Sequence, residues 1–443
     1  MILALDQKLA EQDPLLNPAE LLKPFRDTLF NFFLEAHQPP VTSKALTLKV
    51  LNLCLAKHDF LSRKTSIASR PFGLIVDPSN SCNLACPGCV HSDRSRKLNL
   101  FDWKPGNLTP ARFDTFMRHF GPYAMQSMFY NYGEPVLNPN TPELIRHAKG
   151  YLTQTVLSTN LSCSGFDAGA YVKSGLDYMI LSIDGATQPI YERYRRRGQI
   201  ELVYENIRNL VSERALHKEH RPLLNWQFLA FEHNVHEIPA AINKARQMGV
   251  DQFSVVRPFQ VSWDDPEIHP ANVEPMILEF NQEAVKEQYK WNGSDYGLNA
   301  DAMEEEFEAP WKMPSQVQEQ ERVGPSNHTC HWLYKNIVMD AHGRIFPCAA
   351  APKNNKRTLV FAQIEELSKE GGSFNSDKYQ VARQFFARGE AVCGTTTVEQ
   401  SEPYCFKCEW NQTKPDIDVD DVQLYLQASG LFSAESVERL CTW

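Results

Sequence analysis

The chain has 443 residues, 42% hydrophobic and 22% charged, a composition that excludes disordered, collagen-like and coiled-coil proteins. Its net charge of −9 argues against a nucleic-acid partner, because binding a phosphate backbone draws on surplus Lys and Arg. No apolar run reaches the roughly 18 residues that cross a bilayer, and the N-terminus MILALDQKLAEQDP lacks the basic region and apolar length of a signal peptide, so a cytoplasmic chain without membrane association is expected.

In chain order, residues 1–70 read as a helical extension. Asn17-Pro18-Ala19-Glu20 is a capping-box-like start, and Leu21, Leu22, Phe25, Leu29, Phe32 and Phe33 follow as an apolar stripe. Pro24 should kink or shorten that helix, Pro39-Pro40 closes it, and residues 46–61 form a second candidate. The stripe is read as a docking surface against the next domain.

Over 71–260, short apolar runs alternate with amphipathic stretches. Strands are predicted at 72–77, 126–131, 154–159, 178–183, 224–231 and 252–257, with helices near 166–173, 202–215 and 236–248. Thr109-Pro110 and Thr141-Pro142 read as N-caps followed by Pro, and the first opens an apolar face through Phe113, Phe116 and Phe120. The alternation predicts an α/β fold of right-handed parallel βα units in a partial, six-stranded barrel. Ligands of such folds sit at the carboxyl ends of the strands.

Residues 261–329 read as a helical, acidic linker, with Glu304, Glu305, Glu306 and Glu308 near Pro310 and Pro314. Residues 330–443 read as a small C-terminal domain. It opens on a hairpin signature, 336–340 and 344–348 around Ala341-His342-Gly343.

Eleven cysteines, an odd number in a chain of this kind, are not a disulfide framework. Cys82, Cys86 and Cys89 place three thiols within eight residues, directly after the first predicted strand. Soft thiolates select zinc, copper(I) or iron–sulfur centres. Tetrahedral zinc asks for four ligands and only His91 is near, whereas three thiolates and one open iron suit catalysis. Three merely packed or surface thiols are the plain alternative. A second, dispersed group ends in Cys405-Phe406-Lys407-Cys408.

CNLACPGC matches the C-x3-C-x2-C motif of the radical S-adenosylmethionine (radical SAM) superfamily, and further segments resemble that family in order. Tyr132-Gly133-Glu134-Pro135 is similar to its Gly-Gly-Glu-Pro segment, with Tyr132 in place of the first Gly. Ser158-Thr159-Asn160 resembles the segment after the third strand. Leu181 to Ala186, with Tyr191, Tyr194 and Arg195, resembles the fourth-strand pattern of members with a SPASM or twitch extension. Cys330, Gly343, Cys348 and the Cys405–Cys408 pair are similar to the cysteines of that extension. Only Cys441 follows them, which brings the match nearer the twitch form.

The resemblance implies a 4Fe-4S cluster on Cys82, Cys86 and Cys89, with S-adenosylmethionine chelating the open iron and cleaved reductively to a 5′-deoxyadenosyl radical. It implies that Glu134 accepts from the methionine amino group with the backbone around Gly133 close to the methionine moiety, that Ser182, Asp184 and Asn160 meet the ribose, and that Arg195 pairs with the carboxylate. The residues alone also allow an exposed loop acid at Glu134, a turn former at Asp184 and a solvated helix face at Arg195. One auxiliary 4Fe-4S cluster on Cys330, Cys348, Cys405 and Cys408 is implied, with Cys393 as a substitute ligand and zinc as the alternative metal. An electron donor such as flavodoxin or ferredoxin is implied too. The expected reaction is hydrogen-atom abstraction from a small polar metabolite, carbohydrate- or aminocyclitol-like, leading to oxidation, dehydration or epimerisation. Tyr130, Asn131, His233 and Arg257 are strand-end candidates for the substrate base, and Cys163 for a hydrogen-atom donor. The alternatives are a maturase acting on a ribosomally made peptide, and a non-catalytic iron–sulfur or zinc protein.

Overall fold

A computed structural model describes residues 69–92, 105–258, 265–282, 330–349, 360–367 and 373–388, with parts of 48–67. The helix expected over 17–38, the acidic stretch at 304–308, and Cys54, Cys393, Cys405, Cys408 and Cys441 lie outside the described residues.

Strand β1 (Gly73–Val76) is the run GLIV, buried at all four positions, as a strand covered on both faces should be. β2 (Gln126–Phe129), β3 (Gln154–Thr159), β4 (Tyr178–Ser182), β5 (Leu223–Leu229) and β6 (Gln252–Val256) follow, each parallel to its predecessor. Their positions agree with the sequence expectation to within two residues. Between them run α1 (Pro110–Phe120), α2 (Thr141–Lys149), α3 (Ala168–Lys173), α4 (Gln188–Tyr194), α5 (Ile200–His217) and α6 (Ile238–Gln247).

Among the described residues the sheet is open and carries ten strands rather than six. β7 (Met276–Glu279) lies antiparallel on β6, within the segment read as a linker. On the other edge β8 (Asn336–Met339) runs parallel to β1, with β9 (Arg344–Phe346) and β10 (Ala362–Gln363) antiparallel beyond it. The hairpin forms where its turn signal lies and joins the main sheet. The short helix α7 (Trp332–Lys335) leads into it, and α8 (Asp377–Arg388) follows.

The period of two in the strands gives the sheet two different faces. Leu74, Val76, Phe129, Leu157, Leu181, Trp226, Phe228 and Phe253 share a continuous core with Phe113, Phe116 and Phe120 of α1 and with Leu144 and Ile145 of α2. Full burial of each such side chain contributes roughly 1.5–3 kcal/mol. The opposite face carries Gln126, Met128, Ser158, Ile180, Ser182 and Gln227, all half-buried. Polar groups there pair along and across the strands: Gln126 Nε2 donates to Gln154 Oε1 (2.8 Å) and the Ser158 and Ser182 hydroxyls lie 3.2 Å apart.

The two N-cap expectations diverge. Thr109 caps α1, its hydroxyl accepting from Arg112 N. Thr141 instead lies inside α2, with Asn140 at the cap, because its hydroxyl donates to Pro135 O at 2.6 Å. Two buried carboxylates tie the amino-terminal edge of the sheet. Asp177 binds Lys149 Nζ (2.6 Å) and Arg221, and accepts from Thr155 N of β3. Asp251 binds Arg214 (2.5 Å) and accepts from Leu224 N of β5. With these ion pairs at one edge, the opposite, carboxyl edge carries the thiol loop.

Candidate active site

β1 ends at Val76, and the chain turns through Asp77 to Ser81 into the thiol loop. Its backbone is pinned from two sides: Ser81 O accepts from Glu134 N (2.7 Å), and Ala85 N donates to Arg196 O (3.1 Å). Gly88 takes φ +72°, and Cys89 N donates to Cys86 O (3.0 Å), so the second half of the motif closes as a tight turn. Cys86 is buried and Cys82 and Cys89 are half-buried in one apolar cluster with Leu84, Tyr194, Phe231 and Ile268.

Burial pushes the Cys82 and Cys86 thiols upward. The charge of Glu134 adds to the rise at Cys82. At Cys86 the rise reaches about 12, with Arg195 pulling against it. Each sulfur also repels its neighbours as an anion. Such a trio becomes thiolate only against a strong local positive charge, and a bound metal deprotonates a coordinating thiol outright. Among the described residues, no three His, Cys, Asp or Glu side chains converge closely enough for a single ion. A four-iron cluster spreads its ligands over separate irons, so its thiolates do not meet at one point. Three thiols on one loop, without a fourth convergent ligand among the described residues, fit that arrangement better than closed tetrahedral zinc.

Gly133 has φ +106°, and a Cβ added there would lie 2.0 Å from Ser79 O, so the backbone after β2 presses directly on the chain leading to Cys82. Glu134 is 3% exposed, which excludes an exposed loop acid. Its Oε1 accepts from Thr159 Oγ1 (2.6 Å) and Val136 N (3.3 Å), and its Oε2 from Asn160 N (2.8 Å). Burial pushes its carboxyl up while these bonds and the charge of Arg195 hold it down. Asn160 spans to the loop, its Nδ2 donating to Asn83 Oδ1 (3.1 Å) and Cys82 Sγ (3.9 Å).

Ser182 closes β4 on the open face. Asp184 is fully buried and both its oxygens are engaged: Oδ1 accepts from Leu229 N (2.7 Å), Oδ2 from Arg195 Nε (2.5 Å). Arg195 is therefore not part of a solvated helix face. Its guanidinium also donates through Nη1 to Cys86 Sγ (3.9 Å) and lies over the Tyr194 ring. Burial opposes its charge, but Asp184 and Cys86 outweigh burial and hold the guanidinium above its usual range.

Of the strand-end base candidates, Arg257 is exposed and donates to Val273 O and Glu274. His233 is buried, stacked on Phe231 at 5.6 Å, and both its ring nitrogens lack a partner. Burial, with the nearby charges of Arg193 and His236, lowers it to about 4, so it is neutral at pH 7. Cys163 is half-buried, its thiol pushed up to about 12 by burial and by Glu134. Sequence reasoning missed the Asp184–Arg195 pairing and the parts of Thr159 and Asn234. Asn234 donates to Asp184 O (3.0 Å) and Leu229 O, locking the end of β4 to that of β5. The place of Thr159 beside Asn160 at a strand end was the available signal for it.

Cys330 and Cys348 stand elsewhere. β8 parallels β1 and β9 runs back along it, so Cys330 before α7 and Cys348 after β9 both lie toward the amino-terminal edge, away from Cys82. Cys330 packs against the main core and Cys348 against Ile75, Val338 and Phe346.

A mostly parallel α/β sheet thus carries at its carboxyl edge a loop of three thiols, one buried and two half-buried, of the kind that soft metals select. Residues 76–214 match the Radical SAM superfamily domain. That domain implies a four-iron cluster and S-adenosylmethionine.

Over 206 residues, 45% of the chain, it is 26% identical to the GTP 3′,8-cyclase of Chlorobaculum tepidum, and over 41% of its length it is 29% identical to the pre-heme d1 synthase of Dinoroseobacter shibae. The chain spans 59% and 42% of the lengths of those relatives. It is also similar to the solved structure of anSMEcpe with bound AdoMet, at 14% identity and a TM-score of 0.42, covering 84% of this chain and 98% of the other. Among the described residues no helix is long and apolar enough to cross a membrane.

Proposed function

We propose that the chain abstracts a hydrogen atom from a small polar metabolite, carbohydrate- or aminocyclitol-like, leading to its oxidation, dehydration or epimerisation. The observation that carries this reading is the open sheet face. Gln126, Ser158, Ser182 and Gln227 present amides and hydroxyls there, and among the described residues the face of β2 to β6 holds no Lys, Arg, His, Asp or Glu. Such a surface suits hydroxyl-rich substrates that exchange water for hydrogen bonds of the same kind. A triphosphate such as the GTP named for one relative calls for cations that this face does not present.

In this reading Cys82, Cys86 and Cys89 hold the cluster, which with S-adenosylmethionine supplies the radical when bound. Gly133 lets backbone approach closely, and Glu134 is held by Thr159 and Asn160 facing the methionine amino group. Ser182 is the hydroxyl placed toward the ribose, with Asn160 beside the loop. Asp184 acts through Arg195, its oxygens being engaged already. Cys330, Cys348, Cys405 and Cys408 are assigned to one auxiliary four-iron cluster, and a flavodoxin or ferredoxin in the cytoplasm to electron delivery.

The test is mass spectrometry of 5′-deoxyadenosine after turnover of reduced, reconstituted enzyme with deuterated neutral metabolites. Transfer of label identifies the compound and the carbon attacked. Absence of methionine and deoxyadenosine from protein with an intact cluster favours the non-catalytic reading and refutes this one.

A further inference from the structure

We propose that Arg195 sets the reduction potential of the cluster by donating a hydrogen bond to the sulfur of Cys86, with Asp184 as the strut that aims it. This rests on Cys86 being a cluster ligand, as the proposed function holds.

The geometry begins with the strut. Asp184 is fully buried, and Leu229 N and Asn234 fix its carboxylate and its backbone to the end of β5. Arg195 follows α4 as its C-terminal cap, its backbone N donating to Tyr191 O. The guanidinium is thus held at its root by the helix, at Nε by Asp184 (2.5 Å) and on its face by the Tyr194 ring, 5.2 Å from the centroid. One edge of the planar fork serves Asp184 while Nη1 reaches Cys86 Sγ at 3.9 Å. Lysine has donors to spare but lacks the rigid planar fork that spans Asp184 and Cys86 in this geometry.

The three thiols do not receive equal treatment. Cys82 accepts from neutral donors, Leu84 N (3.4 Å) and Asn160 Nδ2 (3.9 Å). Cys86, the most buried of the three, receives a charged one. Reducing a four-iron cluster adds one electron and makes or breaks no bond, so the change at the sulfurs is purely one of added negative charge. A donor carrying positive charge, sitting in an apolar cluster where fields are poorly screened, favours the reduced form and raises the potential. Asp184 offsets the charge at a distance, but the N–H faces the sulfur. Arg195 is in this sense a positioning residue, acting through the ligand atom.

The experiment is a dithionite titration with mediator dyes, followed by electron paramagnetic resonance, on reconstituted full-length protein without S-adenosylmethionine. Wild type is compared with Arg195→Met, Arg195→Lys and Arg196→Met. The last removes a neighbouring positive charge whose side chain pairs with Asp265 at the surface. Arg195→Met is expected to make reduction about tenfold less favourable, a fall of about 59 mV for one electron. Arg195→Lys should fall by less, and Arg196→Met should match wild type. A potential for Arg195→Met equal to that of Arg196→Met overturns the inference while leaving the cluster assignment intact. Loss of iron from Arg195→Lys also overturns it, by showing that the residue holds the site together rather than tuning it. Wild-type protein that takes up no iron refutes the proposed function itself.

Discussion

Replacing Gly133 with alanine tests how tightly the two halves of the site are coupled. The residue has φ +106°, a conformation that costs an L-residue about 1–2 kcal/mol. The new methyl would also lie 2.0 Å from Ser79 O and 2.9 Å from Ser79 C, contacts that only backbone movement relieves. That movement is opposed on both sides, by Tyr132 N donating to Asp77 Oδ1 (2.6 Å) and Glu134 N donating to Ser81 O (2.7 Å). Overpacking against backbone costs about 1–3 kcal/mol. Added to the conformational cost, this gives a loss of roughly 2–5 kcal/mol, and at about 2–4 °C per kcal/mol a fall in Tm of roughly 4–20 °C. Because the displaced backbone runs straight into Cys82, iron retained after anaerobic reconstitution and desalting should fall in parallel. The assay is thermal unfolding with iron analysis on the same preparation. Wild-type Tm and iron in Gly133→Ala would refute the claim that close backbone contact shapes the loop.

Three further outcomes are expected. Cys86→Ser should abolish the iron bound by the first site and all cleavage of S-adenosylmethionine, whereas Cys405→Ser should lower total iron and spare the first cluster; equal losses from both would contradict two separate centres. Burial holds His233 and His331 to about 4, so between pH 4 and 6.5 the unfolded chain binds protons there that the folded chain does not, and stability rises with pH across that window. His233→Phe keeps an aromatic stack on Phe231 and should flatten the plot of denaturation midpoint against pH by part of that slope, at most about tenfold in the folding equilibrium per pH unit; an unchanged slope rules His233 out as a contributor. Arg383 is buried among Tyr334, Phe374 and Tyr379 and donates to Leu333 O, Phe374 O and Thr65 O. Arg383→Lys should cost roughly 1.5–3 kcal/mol or more in urea denaturation, since hydrogen bonds of this charged fork are lost and carbonyls are left buried; a loss below about 0.5 kcal/mol would refute it.

What the sequence revealed followed from local physics. Short apolar or alternating runs set between amphipathic stretches made β1 to β6 legible, β1 buried throughout and β2 and β4 alternating, and the Ala341-His342-Gly343 turn marked its hairpin. The thiol loop was legible because thiols at that spacing have few other uses. Long-range pairing was not. Nothing local in Asn336–Met339 says that it lies beside Gly73–Val76, and Met276–Glu279 is too short a run to stand out from a linker. The site residues were visible one at a time, but Asp184 and Arg195 are separated by α4, and only the folded chain shows that the acid engages the base. Thr141 shows the same limit on a small scale: its sequence context marks a cap, yet the carbonyl of Pro135, upstream of the helix start, captures its hydroxyl.

The pairing of β8 with β1 bears on how the chain emerges from the ribosome. Gly73 meets Asn336, so one flank of the first strand stays without its neighbour while some 260 further residues are made. At about 5–20 residues per second this interval lasts on the order of ten seconds to a minute. During it the nascent sheet offers a bare hydrogen-bonding rim to any passing polypeptide. Protein released before residue 336 should therefore precipitate, and expression in cells depleted of chaperones should lower the yield of soluble enzyme.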